Sequence, residues 1–161
     1  MTSRPKQHDA VMDRVLDTAR REFPGIGFAR LDGQWQATVN AEVFNAGSVA
    51  ALCAKLRREL PKLAMEQLCR ALAERDIPTR DSDVMTTAGG HYMLSLAPGL
   101  LVWSVPKMFR WFSAGRMVLH SSADPAGTAD LLVELFDRQP WLRYRREYLE
   151  ALMEPAEASP I

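Results

Sequence analysis

Three histidines, His8, His91 and His120, and two cysteines, Cys53 and Cys69, are the only imidazoles and thiols in the chain. They therefore bound the metal and nucleophile chemistry open to it. A zinc site takes three or four such ligands, spaced so that two fall on one face of an element. Here each histidine stands alone, and the cysteines lie apart with no CxxC pair, so the sequence predicts no metal ligand and no cofactor. Free thiols of this kind pack as small apolar side chains in a reducing compartment. No GxSxG, SxxK or catalytic-cysteine context occurs either. The one enzyme reading groups His91, His120, Ser121 and Ser122 by the ends of predicted strands rather than by a motif. No catalytic residue is assigned, and the balance stands against an enzyme. The helix start at Asp124-Pro125, flanked by Ser121, Ser122 and Thr128, could attract an anion, but the Asp124 carboxylate fills the cap and repels one. Thr86-Thr87-Ala88-Gly89-Gly90 lacks the GxxxxGK spacing of a phosphate loop.

Two segments interleave basic and aromatic residues, the chemistry of single-stranded nucleic-acid binding by stacking and phosphate contact: Lys107-Met108-Phe109-Arg110-Trp111-Phe112 and Trp141-Leu142-Arg143-Tyr144-Arg145-Arg146. In the second, Arg143 and Arg146 share a helix face with Glu147 and Glu150, which reads as a solvated face of mixed charge. In the first, period-two alternation sets Met108, Arg110 and Phe112 against Phe109 and Trp111, so both faces of that strand are apolar and need cover. Extended to the neighbouring runs, the alternation predicts an inner face of Tyr92, Leu94, Leu96, Leu101, Trp103 and Val105. The opposite face would show Met93 and Val102 with His91, Ser95, Leu100 and Ser104, plus Arg116, Val118 and His120. From Val84 to Ala123 there is no Asp or Glu, and interfaces are enriched in Met and Arg and depleted in acids. The expected partner-binding residues are therefore Met93, Val102, Met108, Arg110, Phe112, Arg116, Val118 and His120. The competing expectation is that terminal helices cover this face as a second core layer.

The elements that must carry these residues follow from periodicity. Val11, Val15, Leu16, Ala19 and Phe23 recur at helical spacing, predicting a helix from His8 to Phe23, stopped by Pro24-Gly25. Ile26 to Leu31 and Gln34 to Asn40 flank Asp32-Gly33, the signature of a hairpin. Ser48 caps a helix with Val49, Leu52, Cys53, Leu56 and Leu60 on one stripe. Pro61 kinks it or opens a second helix that runs to about Arg75. Gly89-Gly90, Pro98-Gly99, Pro106 and Ala114-Gly115 punctuate strands at His91–Ala97, Leu100–Val105, Met108–Ser113 and Arg116–Ser121, with Val84–Thr87 a fifth. Helices follow from Asp124-Pro125 to before Pro140 and from Trp141 to Met153. The predicted fold is a single α+β domain over residues 8–153, an antiparallel β-meander plus an N-terminal hairpin packed against four to five helices. Residues 1–7 and 154–161 are expected to be a flexible lead and tail.

The chain has 161 residues, with 20 Lys+Arg against 20 Asp+Glu, enough for a sizeable core without a metal or disulfide. Zero net charge weighs against nucleic acid, whose binders usually carry a basic excess. The N-terminal residues are polar, with no apolar signal core behind them. The stretch from Val84 to Pro106 is uncharged but too broken by Gly, Pro and Thr to span a membrane. The expected function is a cytoplasmic, non-catalytic interaction module, an adaptor, chaperone-like or regulatory subunit, binding a protein partner or its own copy. The alternatives are a nucleic-acid-binding accessory protein using residues 107–116 and 141–146, and a small enzyme of unknown class.

Overall fold

The computed structural model describes residues 4–153. The expected lead and tail fall largely outside them, except that the first helix begins earlier than predicted, at Arg4. Over these residues the chain is an α+β protein with antiparallel sheets of three and five strands and four α-helices. Its contacts divide it into two compact units, Met1–Glu59 and Leu60–Ile161.

In the first unit, α1 (Arg4–Glu22) is followed by β1 (Gly27–Leu31), β2 (Gln34–Val39) and β3 (Glu42–Ala46), paired in that order. Trp35, Ala37 and Phe44 are buried on one face of this sheet, with Ala19 and Phe23 of the α1 end and Leu52 and Leu56 of α2 (Val49–Ala73) also buried. The predicted hairpin is β1–β2. The third strand was not predicted, because its turn is Asn40-Ala41, both at positive φ (49° and 69°), where a hairpin normally carries glycine. Ser48 caps α2 as expected, its Oγ accepting the Ala51 N–H at 3.1 Å. Glu22 and Arg57 form a bidentate pair, with Arg57 Nη2 donating to Oε2 at 2.7 Å and Nε to Oε1.

Pro61 neither ends nor splits α2, which continues to Ala73. Apolar residues are buried on both sides of it, Leu52 and Leu56 before and Met65, Leu68 and Leu72 after. At about 1.5–3 kcal/mol per buried side chain, this outweighs the roughly 3 kcal/mol that a helical proline costs.

The second unit contains the remainder of α2 and the strands β4 (Val84–Thr86), β5 (Tyr92–Ala97), β6 (Leu100–Val105), β7 (Met108–Ser113) and β8 (Arg116–Ser121). They form a meander whose spatial order is the sequence order. α3 (Pro125–Arg138) and α4 (Trp141–Met153) complete the unit. One face of the sheet makes the core: Leu94, Leu96, Val102, Phe109 and Trp111 are buried with Met65, Leu68 and Leu72 of α2, Leu132 and Phe136 of α3 and Leu142 of α4. Ser104, fully buried, donates its hydroxyl to the Pro61 carbonyl at 2.9 Å.

Candidate functional site

The other face of the five-stranded sheet is the candidate site, and the register defines its membership. Pairing aligns Met85, Met93, Trp103, Arg110 and Leu119 in one row across all five strands. Beside this row lie Leu101, Phe112 and Met117, with Ser95 next to Leu101 and Met117 opposite Phe112. Phe112 is 59% exposed and Leu119 54%, and Met85, Leu101 and Met117 are also exposed. The Arg110 guanidinium lies 5.5 Å from the Trp103 ring centroid, so the one charge in the row rests on an aromatic face, a favourable cation–π arrangement. Val105 and Met108 close one end of the patch, paired with each other and half-buried.

This membership corrects the expected one. Met93, Met108, Arg110 and Phe112 do lie on the outer face. Val102 does not: it is 0% exposed, in the core opposite Leu94. The cause is a register shift between Ser95 and Ala97. An uninterrupted hairpin around Pro98-Gly99 would pair Leu96 with Leu101, whereas the shift pairs Ser95 with Leu101 and inverts all of β6, since a slip of one residue exchanges the faces. Leu100, Val102 and Ser104 therefore turn inward, and Leu101, Trp103 and Val105 turn outward.

Arg116, Val118 and His120 are likewise on the core side. The two-residue turn Ala114-Gly115 pairs Ser113 with Arg116 and Trp111 with Val118, leaving Met117 and Leu119 to face out beside Phe112 and Arg110. Val118 packs against the core cluster. The His120 Nε2 lies 2.9 Å from Asp124 Oδ2, and Asp124 Oδ1 accepts the Gly127 N–H at 2.9 Å. These two hydrogen bonds, the His120 one first, hold the Asp124 carboxyl below its ordinary value. The arrangement caps α3 as predicted.

The histidine-based enzyme grouping does not assemble. His120 pairs with Phe109, Phe109 with Ser104, and Ser104 with Tyr92, the neighbour of His91. Three strand spacings of about 4.8 Å put the two histidines roughly 14 Å apart along this row, beyond any shared proton. The His91 backbone is held in its own turn, its main-chain N–H donating to Thr87 Oγ1 at 3.2 Å. Burial pushes both thiols up, Cys53 and Cys69 alike, away from the thiolate that a nucleophile needs.

The basic-aromatic segments are also rearranged. Trp111 is buried and cannot stack on a base. Arg143 stands 3.5 Å from Asp137 and over the Phe136 ring, and Arg146 donates to the Leu96 carbonyl at 2.9 Å. Lys107 and Arg116 remain exposed at opposite ends of the β7–β8 hairpin.

No helix among the described residues is long and apolar enough to cross a membrane. The architecture and site thus define an α+β protein that carries an open apolar sheet face. No family model matches the chain, and no curated protein and no solved structure is significantly similar to it.

Proposed function

We propose that this chain is a cytoplasmic, non-catalytic interaction module that receives an amphipathic helix of a partner protein, apolar on one side and acidic along its margins, on the outer face of the five-stranded sheet. The observation that carries this reading is the row from Met85 to Leu119, exposed at both ends and half-buried at Met93, Trp103 and Arg110, with the exposed Leu101, Phe112 and Met117 beside it. Exposed apolar patches of a few hundred Å² are commonly interaction sites.

The dimensions of the face favour this occupant. Strands about 4.8 Å apart and residues about 3.3 Å apart make it about 24 Å across the strands and about 20 Å along the four longer ones, roughly 430 Å² with the shorter β4. That falls short of the roughly 800 Å² per partner of a standard interface between globular proteins, but it accommodates a helix about 10 Å across. The charge pattern favours acidic margins, because Arg110 lies within the face, Lys107 is exposed just before β7, and no acid occurs anywhere from Val84 to Ala123.

Fluorescence anisotropy with two labelled helical peptides tests the reading, the same Leu/Met stripe being flanked by Glu in one and Lys in the other. The Glu-flanked peptide should bind and the Lys-flanked one should not, with binding lost in Phe112→Glu and weakened in Arg110→Ala. Equal binding of both peptides, or binding that survives Phe112→Glu, overturns it.

A further inference from the structure

The five-stranded sheet ends in two unequal edges. β4 is three residues long, whereas β8 runs for six in unbroken register with β7. Sheet edges present unpaired N–H and C=O groups, and natural proteins blunt them with brevity, proline, bulges or charge. β4 is blunted by brevity. β8 has no proline, no bulge and one charge, Arg116, at its first residue. The direction of its backbone groups follows from β7. The Ser122 N–H donates to the Lys107 carbonyl at 3.0 Å, so the alternation of an antiparallel ladder turns the backbones of His120, Val118 and Arg116 toward β7. Those of Met117, Leu119 and Ser121 point away, and among the described residues no strand lies beyond them. Only the Ser121 carbonyl has a local partner, the Asp124 N–H at 3.1 Å.

We propose that β8 pairs antiparallel with β8 of a second copy, in the register that places Leu119 opposite the second copy's Leu119, so that the two sheets become one continuous sheet. A two-fold axis perpendicular to the sheet keeps both outer faces on the same side, which requires an outward residue to meet an outward residue. Centring on Leu119 satisfies this and uses every free group. Leu119 exchanges both backbone hydrogen bonds with its counterpart, and Met117 exchanges both with Ser121 of the second copy, whose carbonyl, with two lone pairs, accepts this bond in addition to the Asp124 N–H. Val118 then stands opposite His120 across the seam. No like charges meet, because Arg116 lies beyond the paired span. The Leu119 side chains, each 54% exposed in the single chain, cover one another. This self-pairing goes beyond the helix-binding reading and does not rest on it.

Sedimentation equilibrium of the full chain from low to high micromolar concentration tests the pairing. The wild-type chain should approach twice the monomer mass. Leu119→Lys and Leu119→Glu should each weaken the dimer at least about tenfold, because like charges then stand directly opposite, and an equimolar mixture of the two should restore it. Leu119→Pro should be folded by circular dichroism yet monomeric, since the N–H it removes is one β7 does not use. Phe112→Glu, on the same face but off the edge, should abolish peptide binding and keep the dimer. A wild-type chain monomeric throughout, a mixture that stays monomeric, or a dimer lost in Phe112→Glu overturns the pairing.

Discussion

Leu101 and Val102 are adjacent, both aliphatic, and opposite in consequence. Val102 is in the core, and a charge there would be buried without a partner, at a cost of several kcal/mol set against a domain stability of about 5–15 kcal/mol. Val102→Glu should therefore unfold the second unit in a thermal melt. Phe112→Glu, at an exposed position, should change stability by less than about 0.5 kcal/mol. Equal losses in the two variants would place the outer face in a core. Asp124 offers a second residue-level expectation. Its folded carboxyl sits below the ordinary 3.8 because His120 and the Gly127 N–H bind it. The stabilisation it gives is accordingly present above that value and lost as the pH falls through the lower, folded one. Asn keeps the capping oxygen but not the charge, so wild type and Asp124→Asn should differ in melting temperature near neutrality. They should converge in acid, and a difference that is constant with pH would contradict the assignment.

The helix cap also shows where local rules reverse at the scale of an element. Inside a helix, Gly→Ala ordinarily stabilises by about 1 kcal/mol. At Gly127 a Cβ would stand 2.1 Å from Asp124 Oδ2 and 3.0 Å from His120 Nε2, so Gly127→Ala should instead lower the melting temperature by displacing the cap; a rise would show that the cap yields freely. Strands and helices were largely legible from residue types: β6, β7, β8 and α4 have the predicted bounds, because Pro-Gly, Pro-Lys and Ala-Gly turns and apolar runs mark their ends. What stayed hidden was phase. Ser95, Leu96 and Ala97 contain no glycine to advertise a register shift, so nothing in them announced that β6 is inverted. The orientation of β8, by contrast, was available in the two-residue turn Ala114-Gly115, which obliges Arg116 to share a face with Ser113. The acid-free, Met-rich composition of the candidate face was readable before its geometry, and half of its expected residues were misplaced for these two reasons.

For the whole molecule, 20 basic and 20 acidic residues leave a formal net charge of +0 at pH 7. With an apolar face exposed and little net repulsion between copies, light scattering should show the strongest self-attraction near neutral pH and less on either side. Attraction that does not change with pH would remove charge from the account. The meander has a further consequence, in time rather than in energy. Each strand pairs with the one made just before it, so during synthesis the sheet grows at its newest edge and can be complete once Ser121 has emerged. Until then its core face has only α2 to lie against, since Leu132 and Phe136 belong to α3, which ends at Arg138. At about 5–20 residues per second, the chain from Ser121 to Arg138 takes roughly 1–3 s to make. For that interval a nascent sheet is apolar on both sides, and that is when a chaperone would find the most to hold.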